Sequence, residues 1–304
     1  VNEQIGSYIV GQGKAVELLQ VALIADGHVL IEGVPGIAKT QLAKLMARAL
    51  DLDFSRVQFT PDLMPSDILG TSVYNQKQGE FEFKSGPVFS NVVLVDEINR
   101  APAKTQAALF EVMEERQVTI DGHQHKMDEP YLILATQNPI EQEGTYRLPE
   151  AQLDRFLFKI SMDYPSLDEE FEILKLHQSL QSKPEDMIQK ALSKEDIQEL
   201  RATAKQIHIE EDILRYIAAI VDATRNQGSL YLGASPRASL ALLNSARALA
   251  AIQDRDFVSP DDIRFLAAPV LAHRVILSPE REMEGLSSVE VLDQIVRSIK
   301  VPGS

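Results

Sequence analysis

The chain has 304 residues, no cysteine and a formal net charge of −15. Lack of cysteine excludes disulfides, zinc–thiolate sites and thiol catalysis, and the acidity argues against nonspecific binding to a nucleic-acid backbone. With 44% apolar and 25% charged residues the composition is ordinary for a globular protein, at a length that favours two domains.

No apolar run reaches the ~18 residues of a membrane span. No basic segment leads into a short apolar stretch at the start, so no secretory signal is read and a cytoplasmic location is expected. The six histidines are scattered, and His123 and His125 suit a hairpin face better than a metal site. Ten acids face four lysines between Asp163 and Glu199, a surface that should repel nucleic acid.

In chain order, residues 13–26 carry Val16, Leu19, Ala22 and Leu23 at helical spacing. His28 to Glu32 reads as a short apolar strand running into the loop GVPGIAKT, residues 33–40. Ala38 to Leu50 is a helix pattern of good helix formers. Arg56–Thr60, Asn91–Val95, Tyr131–Thr136 and Phe156–Met162 read as further strands, with a helix over Ala103–Glu115. Strands alternating with helices predict a parallel α/β sheet covered on both faces.

Two segments interrupt this rhythm. Residues 71–85 alternate around Gly79, and 117–128 carry the turn dipeptide Asp121-Gly122, so each reads as an inserted β-hairpin. From about Leu167 only helical patterns remain, near 167–181, 194–206, 210–226, 236–253 and 260–273. The expected division is an α/β domain over 1–185 and an all-helical domain over 186–304, with the boundary around Ser182-Lys183-Pro184.

The loop departs from G-x-x-x-x-G-K-[ST] at one position, where Ala38 replaces the second glycine. Gly33 and Gly36 offer bare backbone to phosphate oxygens, the helix start adds its positive end, Lys39 can reach the β- and γ-phosphates, and Thr40 can place a hydroxyl on Mg²⁺. Ala38 is tolerable if it lies in helical φ/ψ with its methyl turned away, and damaging if φ must be positive. The other reading is a Gly-Pro-Gly turn beside a surface lysine.

Asp96 and Glu97 end the apolar strand VVLV, where open α/β sheets bind ligands. Asp96 suits Mg²⁺ and Glu97 an attacking water, against the plainer reading of an acidic loop start. Asn138, after the next buried strand, can orient that water, although Asn-Pro is also a turn dipeptide. Arg155 is either an arginine finger or a solvated partner of Asp154 or Glu150. Ser235 and Pro236 predict a helix start that puts Arg237 in the first turn, where a nearby phosphate would offset its conflict with the helix dipole. Ser259-Pro260-Asp261-Asp262 reads as a second such start that needs no ligand.

This ordered set resembles the AAA+ ATPases, and GHVLIEGVPGIAKT, LVDEINRAPAKTQAALFEVMEERQVTIDG, LATQNPIEQEGTYRLPEAQLDRF and GASPRA are similar to the MoxR family. The likeness runs from about Ile9 to Val275, and alanine before the loop lysine is common in that family. It implies a P-loop AAA+ core with a parallel five-stranded sheet, two β-hairpin inserts and a helical lid. It further implies that Val10, Gly11 and the stretch Gly33, Val34, Pro35, Gly36, Ile37, Ala38, Lys39, Thr40 and Gln41 bind ATP. Thr40 and Asp96 would hold Mg²⁺, Asn138 would be sensor 1, Arg155 the finger acting on a neighbouring subunit, and Arg237 sensor 2. Arg147 stands where the family pattern suggests an uncharged residue, and a surface change is the reading adopted.

The resemblance implies a ring oligomer, expected to be hexameric, that hydrolyses ATP to ADP and phosphate in a chaperone-like role. That role is the remodelling or maturing of partner proteins, including von Willebrand factor A (VWA) domain proteins and metal-cofactor insertion. Two alternatives stay open. A nucleic-acid motor is disfavoured by the acidity, and a weakly hydrolysing nucleotide switch by the presence of Glu97 and Arg155.

Overall fold

The computed structural model describes residues 1–138, 146, 148–179 and 184–302, which fold into two compact units. The first comprises Val1–Leu19, His28–Leu148 and Ile160–Ile197; the second comprises Gln20–Gly27, Pro149–Lys159 and Gln198–Ser304.

The first unit opens with helices α1 (Asn2–Gly6) and α2 (Gly13–Ile24), strand β1 (Val29–Gly33), helix α3 (Lys39–Ala49) and strand β2 (Phe54–Gln58). Helix α4 (Pro65–Leu69) leads into the hairpin β3 (Gly70–Asn75) and β4 (Glu80–Ser85), followed by β5 (Val92–Asp96) and α5 (Ala103–Glu115). The second hairpin is β6 (Gln117–Ile120) and β7 (His123–Lys126), and after it comes β8 (Leu132–Gln137). Helix α6 (Glu150–Leu153), which belongs to the second unit, precedes β9 (Phe158–Met162), where the chain returns to the first at Ile160; α7 (Leu167–Ser179) and α8 (Pro184–Met187) come next.

The five-stranded sheet has the order β2-β5-β8-β1-β9. Pairs β2–β5, β5–β8 and β1–β8 are parallel, with Gln58 opposite Asp96 and Glu32 opposite Gln137. All five residues of β5 are buried, as expected of a central strand of β-branched and Leu residues covered on both faces. Burying each such side chain stabilises by roughly 1.5–3 kcal/mol. Buried His28 fixes β1 and α5 to the sheet: its Nδ1 accepts from the Ile133 amide at 3.0 Å, so its Nε2–H donates to the Met113 carbonyl at 3.1 Å. Both expected hairpins form, and His125 stacks on Phe83 with ring centroids 4.0 Å apart.

The second unit is built on α9 (Lys194–Gln206), α10 (Glu211–Asn226), α11 (Pro236–Ile252), α12 (Pro260–Leu271), α13 (Pro279–Met283) and α14 (Ser288–Ser298). Ser235 caps α11 by accepting from the Arg237 amide, and Ser259 with Asp262 forms a capping box on α12. Among the described residues of this unit a short antiparallel pair, β10 (Leu230–Leu232) with β11 (Ile276–Leu277), interrupts the helices. An all-helical expectation is corrected at this point, since strands of three and two residues are too short for a period-2 pattern.

Three strands of the sheet begin one residue later than expected, at Val29, Val92 and Leu132, and the other two starts differ by two residues. The ladder of β2 begins at Phe54 and ends at Gln58; Phe59 is buried beyond it, its amide donating to the Asp96 carbonyl at 2.9 Å. The β9 ladder begins at Phe158 and not Phe156, because the Phe156 and Leu157 carbonyls accept from Arg274. Among the described residues no helix is long and apolar enough to cross a membrane.

Candidate nucleotide site

The phosphate loop joins β1 to α3. A Cβ on Gly33 would fall 2.4 Å from Ile37 Cδ1 and 2.7 Å from the Met162 carbonyl oxygen, so close approach of backbone demands glycine there. Gly36 has φ +89°, in the left-handed region. Val34, Pro35 and Gly36 lie at or near the surface, Ile37 is buried, and Thr40 and Gln41 are half-buried in the first turn of α3.

Ala38 does not have the helical backbone expected of it. It is the N-cap of α3 with φ 61° and ψ 21°, left-handed, in the place where a glycine would be unstrained. Its methyl offers no acceptor to the first-turn amides, which leaves them free to meet an anion.

Lys39 Nζ donates to the carbonyls of Gly33 at 2.6 Å and Val34 at 3.3 Å. Burial pushes its pKa down, while the charges of Asp96 and Glu97 oppose the shift. Lysine and both acids therefore share one electrostatic site at the carboxyl end of the sheet.

Asp96 is buried, accepting from Arg56 Nε at 2.6 Å and from Thr136 Oγ1 at 3.1 Å. Glu97 follows it in a left-handed conformation, φ 57° and ψ 52°. Its amide donates to Thr136 Oγ1 at 3.0 Å, and its Oε2 accepts from Gln58 Nε2 at 2.8 Å and Arg100 Nη1 at 3.0 Å. A non-glycine residue held at positive φ costs on the order of 1–3 kcal/mol. Here the strain turns Glu97 out of the strand direction at the sheet edge where ligands bind.

Asn138 is buried directly after β8, one residue past the Glu32–Gln137 pair, and thus stands at the same edge as Gly33 and Asp96. Val10 and Gly11 occupy the turn between α1 and α2 in the same unit. Arg155 and Arg237 belong to the second unit, Arg155 half-buried after α6 and Arg237 exposed in the first turn of α11. Asp154 accepts from Arg274 Nε at 2.7 Å and from Ser235 Oγ at 3.0 Å. Arg147 lies outside the described residues.

Sequence reasoning missed Arg56, Gln58, Arg100 and Thr136, which hold the two acids. Of these only Arg100 is near Glu97 in the chain; the others are 38 to 41 positions from the acids and reach them through strand pairing.

A phosphate loop entering a helix and an acidic strand end, on a sheet of this order, define the nucleotide-binding core of a P-loop ATPase of the AAA+ type. Residues 28–158 match the family model described as "ATPase family associated with various cellular activities (AAA)", and residues 222–295 match an AAA lid domain. The chain is 44% identical to chaperone MoxR1 of Mycobacterium tuberculosis over 98% of its own length and 81% of that protein. It is 32% identical to protein MoxR of Paracoccus denitrificans, covering 99% and 95%, and 47% identical to protein YeaC of Bacillus subtilis, covering 99% and 93%. A crystal structure from Cytophaga hutchinsonii superposes with a TM-score of 0.91 at 44% identity, covering 98% of this chain and 93% of that one. The chain belongs to the MoxR family of AAA+ ATPases.

Proposed function

We propose that this protein binds and hydrolyses ATP with Mg²⁺ in a ring oligomer, probed below as a hexamer, and uses the cycle to remodel partner proteins. The observation that carries this reading is the glycine loop opening into α3 with Lys39 at its start, at the same edge of the sheet as Asp96 and Glu97. The residues fit the ligand: Thr40 and Asp96 are hard oxygen donors suited to Mg²⁺, and the amides at the start of α3 suit phosphate. Bound Mg²⁺ would supply neutralisation of phosphate charge.

The chain's own residues do the rest. Lys39 exchanges its two carbonyl partners for phosphate oxygens. Glu97 leaves Gln58 and Arg100 to accept a hydrogen bond from the attacking water, and Asn138 orients that water. Arg155 acts on the nucleotide of a neighbouring subunit, and we assign Arg237 to sensing the bound nucleotide. Val10 and Gly11 are assigned to the base. In this reading residues 1–185 are the nucleotide-binding domain and 186–304 the lid, and the location is cytoplasmic. A chaperone-like role is supported by the name of the Mycobacterium tuberculosis relative. A VWA-domain partner and metal-cofactor insertion rest on the family resemblance alone.

Mixing tests the ring reading. Glu97→Gln subunits have a dead site and a sound finger; Arg155→Ala subunits have the reverse. Each is inactive alone, and mixtures regain partial ATPase activity at interfaces that pair a sound site with a sound finger. No recovery on mixing means that Arg155 does not act across subunits. Native mass spectrometry of the ATP-bound Glu97→Gln protein gives the ring size, six being expected.

A further inference from the structure

Arg274, which ends the turn after α12, is buried to 8% exposure, and no ligand role in the proposed cycle uses it. Its five N–H groups are all engaged. Nε donates to Asp154 Oδ1 at 2.7 Å; Nη2 donates to the Asp154 carbonyl at 3.1 Å and the Phe156 carbonyl at 2.7 Å; Nη1 donates to the Leu157 carbonyl at 3.1 Å and to that of Val270. Three of the four carbonyls bracket one residue, Arg155. Neighbouring His273 adds a bond from its Nε2–H to the Phe156 carbonyl at 2.9 Å. The other carboxylate oxygen of Asp154 accepts from Ser235 Oγ at 3.0 Å, and that hydroxyl oxygen accepts from the Arg237 amide at 3.2 Å. All these groups lie in the second unit.

Burying a guanidinium is costly unless its geometry is satisfied throughout. A merely cohesive role would be met by an apolar side chain of similar volume. The planar fork here instead fixes the backbone on both sides of a half-buried arginine, a task that lysine's single ammonium cannot reproduce. A side chain that stabilises transferring phosphate must be held to within a fraction of an ångström.

We propose that Arg274, through Asp154 and the flanking carbonyls, is the positioning residue of Arg155. The same carboxylate ties the Arg155 segment to the helix start that bears Arg237. This rests on the reading of Arg155 as a finger acting on a neighbouring subunit.

The test uses full-length Arg274→Lys and Asp154→Asn proteins, each checked by circular dichroism and by binding of a fluorescent ATP analogue. Binding stays within about twofold of the parent, because the loop and acids are untouched. Turnover falls by about 10²-fold, the effect of misplacing a catalytic group by about 1 Å. Each variant regains activity when mixed with Glu97→Gln subunits and regains none when mixed with Arg155→Ala subunits, because it shares the latter's defect.

If the control pair of Glu97→Gln and Arg155→Ala fails to recover, the finger reading falls and takes this proposal with it. If that pair recovers but the Arg274→Lys and Asp154→Asn proteins do not recover with Glu97→Gln, the positioning role alone is overturned. Turnover within threefold of the parent, or loss of folding in both variants, also overturns it.

Discussion

Ala38→Gly separates two accounts of the phosphate loop by the sign of its effect. If Ala38 continued the helix, as its place before α3 suggests from sequence, glycine would destabilise by about 0.8–1.0 kcal/mol. In the structure Ala38 has φ 61°. A left-handed alanine costs roughly 1–2 kcal/mol that glycine escapes. Glycine's greater freedom in the unfolded chain returns about 0.4–1 kcal/mol of that. The net expectation is stabilisation of about 0.5–1 kcal/mol, a rise of roughly 1–4 °C in melting midpoint at 2–4 °C per kcal/mol. Ala38→Val should lower the midpoint, since a β-branched residue is poorly tolerated at positive φ. Differential scanning fluorimetry without nucleotide reads all three proteins. A fall in midpoint for Ala38→Gly of the same size would refute the left-handed assignment and the strain attributed to it.

Lys39→Ala should abolish binding of a fluorescent ATP analogue; unchanged affinity would remove the loop from the site. Thr136→Val deletes the hydroxyl that serves both the Asp96 carboxylate and the Glu97 amide, and should cost about 1–3 kcal/mol of stability with reduced turnover. Normal stability and turnover would deny it that role. His273 is buried and its pKa lies well below the ordinary imidazole value of 6.5, chiefly through burial, with the Arg274 charge adding to the effect. The unfolded chain therefore takes up this proton first, so its contribution is constant above about pH 6.5 and falls below it, by at most about 1.4 kcal/mol per pH unit. His273→Gln, which keeps an N–H for Phe156, should flatten urea-unfolding stability between pH 6.5 and 5; an unchanged slope would contradict this.

Much of the fold was legible because its signals are local. The helix over Ala103–Glu115 has the bounds its periodicity predicts, and Asp121-Gly122 turns the second hairpin. Ser235 and Ser259 cap the helices they were expected to cap. One local signal was overlooked: Ser287 and Glu290 form a capping box ahead of α14, with Val291, Leu292, Ile295 and Val296 buried behind it. Other features were not local. Arg274 meets Asp154 across 120 positions and Arg56 meets Asp96 across 40, and no periodicity encodes such pairs. The Ala38 backbone escaped for another reason. Residue type gives only a preference for φ, and Ala38 takes the left-handed value that alanine rarely adopts. The expected site residues divide between the two units, with Val10, Gly11, the loop, Asp96, Glu97 and Asn138 in the first and Arg155 and Arg237 in the second.

The central claim, that Glu97 beside Lys39 and Asp96 drives ATP hydrolysis, is tested most directly by phosphate release from Mg·ATP by the parent protein and by Glu97→Gln. The account predicts steady turnover by the parent and loss of at least about 10²-fold in the variant, the lower range for a general base, with ATP still bound. Equal rates of phosphate release from the two proteins would contradict it.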